Sequence, residues 1–400
     1  MLPGLRVLYL HQHFSTPGGS TATRSHAMAR ALAQRGHRVT MACGQYAGAD
    51  AGVTGSFRRG RREGIVNGFR VLQFAVPYDN AMRLPARAAS FLRFAARATV
   101  LARAEAWDVV IASSTPLTVA LPALAGRAPF IFEIRDPWPE LPRALGGVPG
   151  PVLAAMERLA GAACRRAAAV VALSDGMAHT ARARGAGRVA VIPNGADLDL
   201  FGPQVLPARP DAASDEVLAV YAGAHGRANG LDVALDAAAL LRGARLRIIL
   251  VGDGAEKPRL MTRAAAEGLA NVSFLPAMPK RELAALLAGC QIGLFLLAPI
   301  PAFAELTAPN KLMDFLAAGL PVVANVPGQA ARCLADGPCG IAVPPGDAAA
   351  LAAGLRDLAA APARRAAMGL AARAQAVRRW DRRLQARAFC DLVETVGRGG

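Results

Sequence analysis

Short apolar runs rich in Val, Ile and Leu alternate with Ala-, Arg- and Leu-rich helical segments along all 400 residues. Strands that are apolar throughout are buried on both faces, and the helices between them supply the cover. The pattern predicts an α/β architecture with doubly wound parallel sheets. Strands are expected near 5–10 (LRVLYL), 38–42, 70–75, 108–112, 129–134, 168–173 and 189–192. A second series is expected near 217–222 (VLAVYA), 246–251 (LRIILV), 272–275, 291–297, 321–324 and 340–343. Between the series, FGPQVLPARPDAASD (201–215) lacks periodicity and reads as a linker. A chain of this length forms two domains, each burying its own core. The expected division is 1–200, linker 201–215, a second domain 216–375, and a helix over 376–400 that packs back on the first domain.

Charge narrows the partners. Residues 1–200 hold 24 Arg against 12 acids, and residues 201–400 hold 22 Lys+Arg against 17 acids, within a net charge of +17. A basic half suits nucleic acid, an anionic membrane or a phosphorylated substrate. With 5% aromatic residues, no basic run interleaved with stacking residues and no zinc-finger spacing, nucleic acid is not expected. Residues 83–103, RLPARAASFLRFAARATVLAR, have the pattern of a basic amphipathic helix at an anionic membrane surface, and equally that of a helix packed on its own sheet. No charged segment followed by an apolar one precedes Leu5, so no signal peptide is visible and a cytoplasmic chain is expected. The uncharged stretch 284–304 is interrupted by Gly289, Gly293, Pro299 and Pro301 and reads as a helix end plus a buried strand, not a membrane span. Six cysteines without CxxC pairs fit free thiols.

Candidate binding residues cluster where strands end, which is where open α/β sheets take ligands. After the first strand, Pro17, Gly18 and Gly19 precede a Ser20/Thr21 helix start, a loop that admits a ligand to the backbone and favours an anion. It is neither a GxGxxG fingerprint nor a Walker loop. FIFEIRDPWPE (130–140) ends a strand in Glu133, Arg135, Asp136, Trp138 and Glu140, charges expected to face a cleft; a loop merely stiffened by Pro137 and Pro139 would read the same. VIPNGADLDLF contains Asn194 and Gly195, a turn pair that needs no ligand.

In the second half, VYAGAHGRANGLD (220–232) places Gly223, Gly226 and Gly230 between a strand and a helix, a density suited to a diphosphate. LRIILVGDGAEKPRL adds a Gly252–Asp253–Gly254 turn with Lys257 at the next helix start. KLMDFLAAGLPVVAN (311–325) sets Lys311 and Asp314 on one helix face, ahead of a Gly319 stop and Pro321. Only three of the 46 basic residues are lysine: Lys257, Lys280 and Lys311. Lys257 and Lys311 are expected to clamp phosphate, and Asp314 to hold ribose hydroxyls; an ordinary Lys311–Asp314 surface pair fits the spacing as well. Glu305 either touches a sugar or is solvated.

GGST, GHRV after the first helix, PNGAD, VGDG and PNKLMDFLAAGLPVV, in this order, resemble the retaining nucleotide-sugar glycosyltransferases of family 4 over nearly the whole chain. HFSTPGGSTATRSH, IRDPWPE and AGAHGRANGLD resemble the branch that builds bacterial O-antigen and capsule units, including N-acetylated amino-sugar and deoxysugar transferases. The resemblance implies the GT-B fold, with two Rossmann-like domains facing a central cleft, the first for the acceptor and the second for the donor. It implies transfer from a nucleotide diphosphate sugar, UDP-sugar favoured, to a polyprenyl-diphosphate-linked or saccharide acceptor, without metal or other cofactor.

Combined with the residue reading, the expected catalytic set is Lys257, Lys311, Asp136 and Arg135. The expected donor-binding set is Gly18, Gly19, Gly223, His225, Arg227, Asn229, Gly252, Asp314, Glu305 and Asn194. There are departures from the family. Its Arg and Lys after the first strand of the second domain correspond to Ala224 and Asn229, so the clamp is expected to fall to Arg227, Lys257 and Lys311, with His225 or Asn229 as neutral donors. The second acid of its paired-glutamate motif corresponds to Asp314, whereas the first falls on Leu306, one step from Glu305. Arg135 and Asp136 stand where relatives often carry a histidine. The acidic pair nearest to a DxD motif is Asp197 with Asp199, in the turn after PNG. The alternatives are a sugar-nucleotide epimerase of the same architecture and a non-catalytic partner in polysaccharide assembly.

Overall fold

The computed structural model describes residues 3–210, 215–306 and 310–399. The chain forms two compact units, Met1–Asn194 with Arg383–Gly400, and Gly195–Arg382.

The first unit holds β1 (Arg6–Leu10), β2 (Arg38–Tyr46), β3 (Arg61–Val66), β4 (Phe69–Tyr78), β5 (Val109–Ser113), β6 (Phe130–Ile134), β7 (Ala169–Ala172) and β8 (Val189–Val191). They form one sheet in the order β3-β4-β2-β1-β5-β6-β7-β8. All neighbours are parallel except β3 with β4. Val7, Leu8, Tyr9 and Leu10 are all 0% exposed, as a sheet covered on both faces requires. The helix Arg24–Gln34 packs Met28, Ala29 and Leu32 into the same core as Phe389, Cys390 and Val393 of the last helix, Arg382–Gly397. The helix Leu84–Ala104 buries Phe91, Phe94, Ala98 and Leu101.

The rule of continuous apolar runs does not find β3. It is an edge strand whose Arg61, Glu63 and Ile65 are exposed, and charge at an edge discourages further pairing. Asn67 and Gly68, at φ +48° and +90°, make the tight hairpin turn to β4.

The second unit holds β9 (Val217–Ala222), β10 (Leu246–Val251), β11 (Val272–Leu275), β12 (Ile292–Phe295), β13 (Val322–Ala324) and β14 (Gly340–Ala342). Their order is β11-β10-β9-β12-β13-β14, all parallel. Leu218, Val220 and Ala222 face one core while Ala219 and Tyr221 face the other, so this sheet too is covered on both sides. Phe201 is 2% exposed in the first of these cores. The division between the units therefore lies at Asn194 and Gly195, upstream of the segment read as a linker, of which 211–214 lie outside the described residues. The chain end is two helices, Pro362–Arg379 and Arg382–Gly397, broken at Trp380 and Asp381. The stretch 284–304 ends the helix Lys280–Gly289, forms β12 and enters the short helix Phe303–Leu306. Among the described residues no helix is long and apolar enough to cross a membrane.

Strand order reverses at β1, which lies between β2 and β5, and at β9, between β10 and β12. Those are the two points at which open sheets leave a crevice for ligands.

Candidate active site

At the end of β9, Tyr221 is 0% exposed and the chain enters the glycine loop. This loop and the turn after β10 pack backbone to backbone: Gly223 N donates to Val251 O at 2.9 Å, and His225 N to Asp253 O at 2.9 Å. A Cβ on Gly252, at φ +138°, would lie 1.9 Å from the Gly223 oxygen, so no other residue fits this turn without parting the loops.

Lys311 reaches this point from the helix Asn310–Ala317, which is anchored in the core by Leu312, Phe315 and Leu316. Its Nζ donates to the Tyr221 hydroxyl at 2.8 Å and lies 4.3 Å from the centre of that ring. It also lies against Gly223, where a Cβ would stand 2.9 Å from Nζ. Assigning the Asn229 amide by its hydrogen bonds, Nδ2 donates to Ala224 O at 2.7 Å and Oδ1 faces Lys311 Nζ at 3.2 Å and the Tyr221 hydroxyl at 3.0 Å. Lys311 forms no ion pair among the described residues, and burial lowers its pKa to about 7.

The other expected residues separate into distinct pairings. Asp314, 3% exposed, accepts from Lys280, so the alternative of a Lys311–Asp314 surface pair does not form among the described residues. Lys280 lies 34 residues away along the chain, and nothing in the local spacing announces it. Lys257 is not a free phosphate ligand. Its ammonium donates to Gly252 O at 2.8 Å, Asp253 Oδ1 at 2.9 Å and Leu275 O at 2.9 Å, using its three protons to hold the turn. His225 is 0% exposed between Tyr221 and Phe274, and neither ring nitrogen has a hydrogen-bond partner among the described residues. Burial first, then the Lys257 charge, lowers its pKa to about 4, which keeps it neutral. Arg227 is exposed and forms no ion pair among the described residues. Glu305 is not poised for a sugar: it takes Arg332 through both oxygens, at 3.2 and 2.8 Å, which holds its carboxyl below the usual range.

In the first unit the IRDPWPE cluster also divides. Glu133 points into the core and not into a cleft. It is 0% exposed and accepts from Arg24 Nε at 2.9 Å, Ser113 Oγ at 2.5 Å and the Tyr9 hydroxyl at 3.3 Å. Arg24 continues to Pro193 O at 2.6 Å and Ile192 O at 2.9 Å, tying β1, β5, β6 and the chain after β8 together. Burial pushes the Glu133 carboxyl up, but Arg24 and Arg135 outweigh it and hold it below its ordinary range. Arg135 donates to His11 Nε2 at 2.8 Å, whose Nδ1 lies 2.7 Å from Ser25 Oγ. Burial, then Arg135, keeps His11 well below its ordinary pKa, so it accepts as a neutral ring. His13 stacks on Tyr78, with ring centres 4.4 Å apart, and lies tilted against Tyr46 at 4.7 Å; burial lowers its pKa to about 3.

Asp136 is exposed and accepts from Thr115 Oγ1. Gly18 and Gly19 let their loop pack on Asp50; a Cβ on Gly19 would stand 2.7 Å from the Asp50 nitrogen. Asn194 is buried after Pro193. His11, His13, Tyr221 and Lys280 are absent from the sequence-based set, although HQH directly after a strand marks the first two.

The profile described as Glycosyltransferase Family 4 matches residues 18–200, and that described as Glycosyl transferases group 1 matches 216–361. The chain belongs to the family 4 glycosyltransferases. No curated protein matches this glycosyltransferase by sequence. Among solved structures, sucrose-phosphate synthase from Thermosynechococcus elongatus has a TM-score of 0.76 at 17% identity, over 99% of this chain and 100% of that one. WaaG, a glycosyltransferase involved in lipopolysaccharide biosynthesis, has a TM-score of 0.70 at 18% identity over 98% and 100%. Anabaena HepE in complex with UDP-glucose has a TM-score of 0.68 at 19% identity, again over 98% and 100%. The fold of this enzyme is GT-B. Asn229 and Tyr221 border Lys311, which stands against the glycine loop at Gly223.

Proposed function

We propose that this glycosyltransferase moves a sugar from a nucleotide diphosphate donor, a UDP-sugar by preference, to a polyprenyl-diphosphate-linked or saccharide acceptor with retention of configuration. The sugar is an N-acetylated amino sugar or a deoxysugar, and the process is bacterial surface polysaccharide synthesis. One observation carries the donor site: Lys311, a cation without a carboxylate, at the crevice of the second sheet. A half-buried cation of this kind gains most from an arriving anion. HepE crystallised with UDP-glucose and WaaG of lipopolysaccharide biosynthesis support the donor and the process.

As the bond between the sugar's anomeric carbon and the diphosphate oxygen breaks, charge grows on the diphosphate. Lys311, set against the glycine loop, stabilises it there while an acceptor hydroxyl attacks the same face. Asp314 takes the ribose hydroxyls on exchanging its contact with Lys280, and Arg135 and Asp136 serve the sugar side. We assign the reaction no metal. Activity lost in EDTA and restored by a divalent cation would overturn that assignment. Leu92 (57% exposed) and Val100 (70%) stand among arginines on the helix Leu84–Ala104, which we assign to an anionic membrane at the inner face of the cell. Failure to bind anionic vesicles in low salt would remove this part.

The test of the donor is a thermal-shift screen against UDP, GDP, ADP and CMP, in which a ligand at 100 times its Kd stabilises by about 2.7 kcal/mol. A selective shift with UDP, absent in Lys311→Ala, is expected. No shift with any nucleotide removes the reading, and a converted sugar nucleotide formed without acceptor would identify an epimerase instead.

A further inference from the structure

Among the described residues Lys311 has no counter-charge on any element packed against it. From β9 it meets the Tyr221 hydroxyl and ring, and from the following loop the Gly223 backbone and the Asn229 amide. The ionisable groups nearby are otherwise engaged: Lys257 with Asp253 at 2.9 Å, and Asp314, on the same helix as Lys311, with Lys280. His225 is neutral, and burial raises the Tyr221 pKa far enough that the phenol keeps its proton. An amine in such surroundings is favoured over an ammonium until an anion joins it.

The Tyr221 hydroxyl suits both forms. It lies 2.8 Å from Lys311 Nζ and 2.8 Å from Ala224 O. Facing an ammonium, it accepts from Nζ and donates to Ala224 O. Facing a neutral amine, it turns its proton onto Nζ, and Asn229 Nδ2, at 2.7 Å, keeps Ala224 O satisfied.

We propose that Lys311 is a proton-linked receptor for the donor's diphosphate, with Tyr221 and Asn229 as its positioning residues. In the free enzyme the amine rests on the Tyr221 hydroxyl. When the diphosphate arrives, the nitrogen lone pair takes a proton from solvent, and that proton returns to solvent when the nucleoside diphosphate leaves. The assignment rests on the donor reading above. Binding of UDP is therefore strongest below about pH 7 and weakens up to tenfold per pH unit above it, until the bound-state pKa is reached.

With only three lysines in the chain, lysine labelled with carbon-13 at Cε gives three side-chain signals, assignable by single Lys→Arg substitutions. Titrated between about pH 6 and 10, the Lys311 signal is expected to turn near 7 in the free enzyme and at least about one unit higher with UDP. Tyr221→Phe is expected to lower the free midpoint further. Asn229→Asp is expected to raise it by more than about one unit and to flatten the pH dependence of UDP affinity. A Lys311 signal that stays charged to pH 10 overturns the proposal. So does an unmoved midpoint when a thermal shift shows UDP bound, a result that leaves the donor reading intact. If UDP gives no thermal shift, the donor reading falls; inorganic pyrophosphate then replaces it as probe, a raised midpoint supporting the anion-receptor role and an unmoved one overturning it.

Discussion

The carboxyl ends of the two sheets are built from similar residue types used in opposite ways. In the first, Glu133 holds Arg24, Arg135 holds His11, and His13 lies flat in an aromatic stack. In the second, Lys257 and Lys280 are engaged with carboxylates, but Lys311 rests on a phenol and an amide, and the His225 ring has no hydrogen-bond partner among the described residues. Residue type at a strand end therefore says little about ligand binding; the partner each charge already has says much more. A charge answered within the protein stabilises the fold, whereas a half-buried one without a counter-charge is disposed to accept an ion from outside.

That contrast is open to attack, starting with the largest effect. Glu133→Ala leaves the Arg24 guanidinium buried and unpaired, and is expected to cost about 3–5 kcal/mol in urea unfolding. A loss below about 1 kcal/mol would mean that the first sheet's charges are not structural. Next, Lys311→Ala is expected to lower kcat by about 10²-fold, comparable to losing one oxyanion donor. The same change should leave thermal stability at pH 7 equal or higher, because the folded state disfavours the ammonium that the unfolded chain retains. Turnover near normal would remove Lys311 from the chemistry.

Acid should act on both units, through His225 in the second, whose pKa burial lowers to about 4, and through His11 and His13 in the first. His11 and His13 have folded pKa values below 6.5, His13 at about 3, so the unfolded chain binds protons that the folded one does not. Their contribution is complete above pH 6.5 and is lost as pH falls toward 3, by at most about 1.4 kcal/mol per pH unit for each ring. Acid unfolding of His13→Phe should shift to lower pH; an unchanged curve would show that the stack does not hold the ring neutral. Smallest is Glu305→Gln, which breaks an exposed pair and is expected to change stability by less than about 1 kcal/mol and turnover by less than about threefold. A tenfold loss of activity would show that Glu305 leaves Arg332 to meet the sugar.

Most strands were legible because continuous Val, Ile and Leu runs have few alternatives in a parallel sheet. β3 was not, since an edge strand carrying Arg61, Arg62 and Glu63 has no apolar run, and its sign was the Asn67–Gly68 turn. Phe201 escaped because a single anchor in an aperiodic segment has no pattern. At the site, lysine scarcity and glycine density were enough to mark Lys311 and Gly223 as candidates. They could not show which lysine takes Asp314, since Lys280 approaches from a different helix. Glu133 and Asp136 lie three residues apart, but the first belongs to a strand buried on both faces and the second to the loop beyond it.

The last helix fixes an order of assembly on the ribosome. Phe389 stacks on Tyr9 at 6.0 Å between ring centres, so the core of the first unit draws on residues synthesised both before and after the second unit. Residues 195–382, the whole of the second unit, are made in between. The usual progression of domains from the amino terminus is thus reversed for the final closure. A chain halted in translation shortly before Phe389 would carry a finished second sheet and a first one with its apolar face still uncovered, a form that chaperones and proteases can tell from the completed enzyme.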